Sequence, residues 1–386
     1  MPQDRRQGSP YRSRAVGLLT QAAVLLLVGG LVAIVAHNTA QNLRTRGIAS
    51  GFAFLKNPAG FDITMHLISY DEAQSYGRAF VVALLNTLVA SGLGIVCATL
   101  LGFALGIMRL SPNWLLSRVA ATYVELVRNL PLVLQLFFLY FAVLRAAPGP
   151  RQSMTLGGMI FFNVRGLFVP RPIFGQGMVW VFGSIGVGLG AWLFLRATLK
   201  AQQRPRSRPF PHGLSFLGLG VLLPTLTFIL CGAPLTWEVP QLSGFNFQGG
   251  LNLIPELVAL VTALTLYTAA FIAEIVRAGI LSVPRGQTEA ALALGLSPLL
   301  VLRLVVIPQA MRVIVPPLTS QYLNLTKNSS LAAAIAYPDL MLVFAGTVLM
   351  QTGQAVEIIA MTMAVYLIIS LTISLFMNRY ARRSLL

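Results

Sequence analysis

Charge is what this 386-residue chain has least of: Asp, Glu, Lys and Arg make up 10% of it, against 56% hydrophobic residues. With a mean hydropathy of +0.76, that balance excludes a soluble globular domain and predicts an all-α, polytopic membrane protein surrounded by a lipid bilayer. Lysine is scarcer still. Lys56, Lys200 and Lys327 are the only ones and none follows a glycine. There is therefore no Gly-Lys-Ser/Thr phosphate loop, and the chain is not expected to be an enzyme that hydrolyses ATP itself. Cysteine is limited to Cys97 and Cys231, both inside apolar runs, which excludes a disulfide framework. His37, His66 and His212 do not gather with cysteines or carboxylates, so neither a metal nor any other cofactor is expected in this chain.

What charge there is lies on one side of the balance, at a formal +17. In a soluble domain this would suggest nucleic acid. Here the basic residues cluster between apolar runs, as cytoplasmic loops do, and no nucleic-acid partner is expected. A spanning helix needs about 20 mostly apolar residues. Eight stretches qualify: about 15–37, 79–108, 117–144, 177–197, 213–233, 252–280, 320–347 and 356–378. The first follows Arg5, Arg6, Arg12 and Arg14 and is too long for the core of a cleaved signal, so it reads as a retained anchor with the N-terminus in the cytoplasm. Eight crossings then return the C-terminus to the cytoplasm. About eighteen basic residues fall inside under this scheme, against Arg44, Arg46, Lys56, Arg78, Arg145, Arg151, Arg165 and Arg171 outside. The last four of these are its one blemish.

The chain divides on this reading into 1–78, with the N-tail, first span and an external loop; 79–144, core spans; 145–250, an inserted helix pair with its loops; and 251–386, core spans again. Ionisable residues inside spans are candidates for function. Glu125 and Arg128 are three apart and share a helix face, with Pro131 freeing a carbonyl one turn earlier. Glu274 and Arg277 repeat the spacing. Each pair reads either as a self-neutralising intrahelical ion pair or as a functional group. Asn324, Lys327, Asn328, Ser329 and Ser330 form a polar patch ahead of an Ala-rich segment. This reads either as a capped helix N-terminus or as a broken helix whose positive end, aided by Lys327, faces a cavity suited to a carboxylate.

The stretch from Ser282 to Pro308 fits neither water nor lipid. Pro284 suits a first helical turn, Gly295 a C-terminal cap, and Ser297 followed by Pro298 a new helix start, which together predict a helical hairpin outside the bilayer. Ala290, Ala291 and Ala293 offer a surface that another backbone can approach closely, and Glu289 offers one directed acceptor. Six crossings from an inside N-terminus place it in the cytoplasm.

Glu289-Ala290-Ala291, then Gly295 after three intervening residues and Val305-Val306-Ile307-Pro308 after nine more, resembles the EAA motif of permease subunits of binding-protein-dependent ABC importers. Tyr123 to Phe141 and Phe271 to Gly295 resemble the polar amino acid permeases. The segment RGIASGFAFLKNPAGFDI and the Gly77 to Leu88 stretch resemble the Q-type subunit of the general L-amino acid importers.

The resemblance implies a type I importer core of five helices and a cytoplasmic coupling helix seated in a partner ATPase. Arg285, Gly286, Gln287, Thr288, Glu289, Ala290, Ala291 and Gly295 would belong to that helix. It implies a second, M-type permease, two ATPase subunits that carry the ATP and Mg, and a periplasmic amino-acid-binding protein, all at the bacterial inner membrane. Lys327, Asn328 and Ser329 would meet the carboxylate of an L-amino acid and Glu274 its ammonium group, while Glu125, Arg128 and Arg277 keep an open role. An ion-coupled secondary transporter and a membrane receptor or scaffold are the rival readings; the first would not need the hairpin, and the second would not need buried charges on several spans.

Overall fold

The computed structural model describes residues 10–45, 51–202 and 216–384. Arg5, Arg6 and Arg46, used above as charge markers, three further basic residues counted as inside (Arg204, Arg206 and Arg208) and His212 lie outside the described residues. The fold is mostly helical. In chain order the helices are α1 (Pro10–Thr45), α2 (Tyr76–Arg109), α3 (Trp114–Arg128), α4 (Leu132–Leu144), α5 (Met178–Gln202), α6 (Leu217–Leu230), α7 (Pro255–Leu281), α8 (Arg285–Ala293), α9 (Pro298–Ile335), α10 (Met341–Thr352) and α11 (Ala355–Ser384).

Five of these are long and apolar enough to cross a membrane, or six if α3 and α4 count as one bent span. The other expected spans fall on α1 and on the shorter α6. The stretch expected as a single span at 320–347 is divided. α9 begins at Pro298 and ends at Ile335, Ala336 turns left-handed at φ 60°, and the chain restarts as α10 after Pro338. Hydropathy runs through this turn unbroken, whereas proline removes a donor and forces the break. The second arm of the expected hairpin is consequently no separate element; it is the first turns of α9.

The contacts divide the chain into two units, Met1–Val124 with Thr268–Leu386, and Glu125–Tyr267. In the first, α2 starts at Ser75, whose Oγ accepts from the Arg78 N–H at 3.3 Å. Phe54, Ala59, Ile63 and Tyr70 of the preceding loop pack with Val82 of α2, Phe344 of α10 and Ile358 of α11 in one buried cluster. The loop, which the sequence left without a role, is thus part of the core. Further along α2, Gly102 and Gly106 lie against α7. A Cβ on either would stand 2.6 Å from the Ile272 Cβ or 2.8 Å from the Val276 Cβ, so close backbone approach requires glycine at both.

In the second unit α4 follows the last turn of α3 after Asn129, Leu130 and Pro131. Pro131 opens the helix as expected, and Gln135, which the sequence reading passed over, closes the account: its Nε2 donates to the carbonyls of Val127 and Leu130, each at 3.0 Å. Freed carbonyls inside a bilayer need such a donor. Gln135→Leu is expected to lower the stability of the purified protein by about 1–3 kcal/mol, the cost of an unmet buried acceptor, readable as a lower melting temperature. Gln135→Glu, which also lacks the amide donor, should fare no better.

Eight short strands, which an all-α expectation did not include, surround α5 and α6. β1 (Met154–Leu156), β2 (Ile160–Asn163), β3 (Gly166–Val169) and, from beyond α6, β8 (Leu251–Leu253) form one antiparallel sheet in the order β1-β2-β3-β8. β4 (Arg171–Phe174) pairs with β5 (Leu235–Glu238), and β6 (Gln241–Ser243) with β7 (Asn246–Gln248). The Phe247 ring packs on Phe161 and Phe168 at 4.7 and 4.9 Å between centroids. Asn163, fully buried, donates to the Ser153 Oγ at 2.9 Å.

Candidate coupling helix and polar break

α8 follows α7 after a linker of only Ser282, Val283 and Pro284. Pro284 stands at its N-cap with extended backbone (φ −60°, ψ 135°), one position before the helix proper. The far end is a Schellman cap: Gly295 is left-handed at φ 78°, its N–H donates to the Leu292 carbonyl at 2.9 Å, and the Leu296 N–H reaches the Ala291 carbonyl at 3.3 Å. Ser297 and Pro298 then open α9, although the Ser297 side chain makes no capping bond.

Ala291 is buried beneath α8, whereas Arg285, Gly286, Gln287, Glu289 and Ala290 are exposed and Thr288 is half-buried. Among the described residues Glu289 has no ion pair or side-chain hydrogen bond. Leu294 and Leu299, which follow in the chain, are 83% and 74% exposed. α8 thus carries an uncommitted carboxylate together with the exposed Ala290, and exposed leucines follow it in the chain.

Three turns back on α7, Glu274 is held from two sides. Its Oε1 takes the Arg277 Nη2 at 2.5 Å and its Oε2 takes Nη1 of Arg109, the last residue of α2. Both oxygens expected to face an ammonium group are therefore engaged, and the ion-pair reading of Glu274 with Arg277 describes the geometry. Arg109 was not legible from local spacing. Together with the Gly102 and Gly106 contacts, this clasp ties α2 to α7 just before α8. Glu125 and Arg128 lie on the exposed side of the last turn of α3.

The polar patch lies elsewhere than expected on its helix. Lys327 and Asn328 close the α-helical part of α9 and Ser329 continues it as a 3-10 turn, so the patch sits at a helix C-terminal end, whose dipole is negative. The expected N-terminal dipole for a carboxylate is absent, and Lys327 remains as the cation. Lys327 and Ser330, with Met341, Thr362, Met363 and Tyr366, line an open cavity of about 350 Å³. Ser329 is buried, donating to the Thr326 carbonyl at 2.8 Å and accepting from Ser91 of α2 at 3.2 Å.

Around the turn between α9 and α10 is a buried network that sequence reasoning missed. The Asn86 Nδ2 donates to the Met65 carbonyl at 2.7 Å and to the Pro338 carbonyl at 2.9 Å, and the Tyr337 hydroxyl donates to the Asn86 carbonyl at 3.0 Å. Thr87 Oγ1 accepts from the Leu340 N–H, and Asp339 Oδ1 from the Leu342 N–H. The signal was the adjacent Asn86-Thr87 pair inside an otherwise apolar run.

Residues 90–385 match the family described as binding-protein-dependent transport system inner membrane component. The chain is a permease of that family. The permease is 55% identical over 370 residues to the putative amino-acid ABC transporter permease protein YhdX of Escherichia coli strain K12, covering 95% of this chain and 93% of that one. It is 48% identical to the general L-amino acid transport system permease protein AapQ of Rhizobium johnstonii, over 95% and 91% of the two chains. A solved amino acid ABC transporter with histidines matches over 80% of the permease and 95% of that chain, at 22% identity and a TM-score of 0.47.

Proposed function

We propose that this permease forms, with a second and different permease chain, the translocation path of an importer that carries L-amino acids from periplasm to cytoplasm, with both termini in the cytoplasm. Two separate ATPase subunits bind and hydrolyse ATP with Mg, and α8 is the point at which their motion enters. The observation that carries the reading is α8 itself: a capped helix with an unpaired Glu289, joined by three residues to a transmembrane helix. Access then alternates between the two sides as the ATPases close and open, while a loaded binding protein supplies substrate from outside. The names of the full-length relatives support amino acids as cargo.

Lys327, at the cavity with Ser330 and Tyr366, serves as the cation for the substrate carboxylate, with Asn328 next to it in sequence. Glu274, clasped by two arginines, holds α2 to α7 in this scheme. The Lys327→Met variant is expected to raise the substrate concentration for half-maximal uptake at least about tenfold, the worth of one charge-assisted contact of about 1.5–3 kcal/mol, while ATP hydrolysis stimulated by the loaded binding protein persists. Uptake of labelled amino acids into vesicles holding the permease pair and its ATPase tests the whole reading. ATP-dependent accumulation is the expected result; uptake that needs only an ion gradient would overturn it.

A further inference from the structure

The four arginines from Arg145 to Arg171 break the positive-inside pattern, and the fold shows what surrounds them. Arg145 is engaged internally, donating to the Tyr140 hydroxyl at 2.9 Å, which in turn donates to Glu256 at 2.7 Å. The other three belong to the β module of 146–176 and 232–254, whose ionisable side chains are Arg151, Arg165, Arg171 and Glu238. All three arginines are exposed, and among the described residues Arg165 and Arg171 have no ion pair. The module is thus basic with an aromatic core of its own.

Its edges are bare. The β1–β2 hairpin turns through Gly157 and Gly158, both left-handed, and presents Leu156 and Met159 at 71% and 56% exposure. The β6–β7 hairpin turns at Gly244 and presents Phe245 at 73%. Arg151, in the short turn before β1, lies over the second of these, its guanidinium 4.5 Å from the Phe245 ring centroid. Between them Arg151, Ser153, Thr155, Phe161, Gln241 and Leu242 border an open groove of about 390 Å³. Exposed apolar tips around a groove with a cation at its edge mark a protein contact.

We propose that this β module is a docking platform for the solute-binding protein of the importer, which meets it with an acidic, partly apolar surface. The proposal rests on the proposed function, with both termini in the cytoplasm, and on the eight-crossing scheme that places the module outside. A binding-protein-dependent permease must receive such a protein on that side, and the module's excess of arginine over carboxylate selects an acidic face. The same arginines would then serve association, which explains why they depart from the distribution that governs insertion.

The test uses the complete importer in lipid nanodiscs, with loaded binding protein titrated and ATP hydrolysis read. Arg151→Glu with Arg165→Glu is expected to raise the half-saturating binding-protein concentration at least about tenfold, with hydrolysis at saturation and hydrolysis without binding protein unchanged. Leu156→Ser with Met159→Ser, which leaves every charge in place, should raise it about fivefold. Raising salt from about 0.05 to about 0.3 M should weaken half-saturation in the wild type far more than in the arginine variant. Unchanged half-saturation in both variants overturns the proposal while leaving the amino-acid uptake reading intact.

A fluorophore on Leu156→Cys, in a Cys97→Ser, Cys231→Ala background, separates the remaining outcomes. Labelling of intact cells by an impermeant maleimide supports the external placement, and labelling only from the cytoplasmic side overturns the topology itself. Quenching of that fluorophore by brominated lipid would assign the hairpin to the bilayer surface and overturn docking.

Discussion

Replacing Glu289 by lysine is expected to bring ATP-driven uptake down to background, a loss of about a hundredfold or more, with the permease still folded and inserted. The side chain is exposed and unpaired on α8, so the change removes nothing that holds the fold together. Its effect must arise at the partner surface, where a reversed charge both loses a contact and adds a repulsion, together costing several kcal/mol when desolvated. Hydrolysis by the complex, uptake and co-purification of the ATPase measured side by side distinguish uncoupling from loss of assembly. Gly295→Val should give a similar loss by a different route. At φ 78° a β-branched residue is strained by about 1–3 kcal/mol, and the cap that orients α8 against α9 is displaced. Normal uptake in both variants would remove α8 from the coupling path.

The second large effect is expected at the α2–α7 clasp. Glu274→Met leaves Arg109 and Arg277 facing each other without their shared carboxylate, in side chains only 14% and 32% exposed. Removing one partner of a fully buried ion pair costs about 3–5 kcal/mol, and this half-buried cluster should lose about 2–4 kcal/mol, more than an apolar replacement of the whole cluster. The melting temperature of the purified permease should therefore fall by about 5–15 °C. In the triple change Arg109→Met, Glu274→Met, Arg277→Met, most of that loss should be recovered, because no uncompensated charge remains. If Glu274 instead served substrate, the single variant would melt normally and fail only in uptake.

The sequence revealed local chemistry and concealed what depends on distant contacts. The limits of α8 were legible because a proline before it, a left-handed glycine after it and a Ser-Pro start beyond are each determined within a few residues. Glu274 with Arg277 was legible for the same reason; Arg109, 165 residues away, was not, so the carboxylate looked available when it was held from both sides. Hydropathy identified α2, α7 and α11 but ran across the Ala336 to Asp339 turn, since four residues barely alter a window long enough to define a span. Lys327 stood out in the sequence as a cation inside an apolar region, yet the end of the helix it occupies, and so the sign of the dipole, depended on that same turn. The strands of the β module are three or four residues long, too short for alternation to register, and β8 finds β3 only after the chain has passed through α5 and α6.

The position of the clasp along α7 sets a mechanical ratio. The helix rises about 1.5 Å per residue, so its 27 residues measure about 40 Å. The tight contacts at Ile272 and Val276 bracket Glu274, about 10 Å from the end that leads into α8 and about 28 Å from Pro255. A rod pivoting there has one short arm and one long arm. A push of about 2 Å delivered through the three-residue linker would swing the far end by about 5–6 Å, roughly the pitch of one helical turn. If the ATPase stroke enters at α8 as proposed, small strokes at one face of the bilayer would be geared up at the other, at the expense of force.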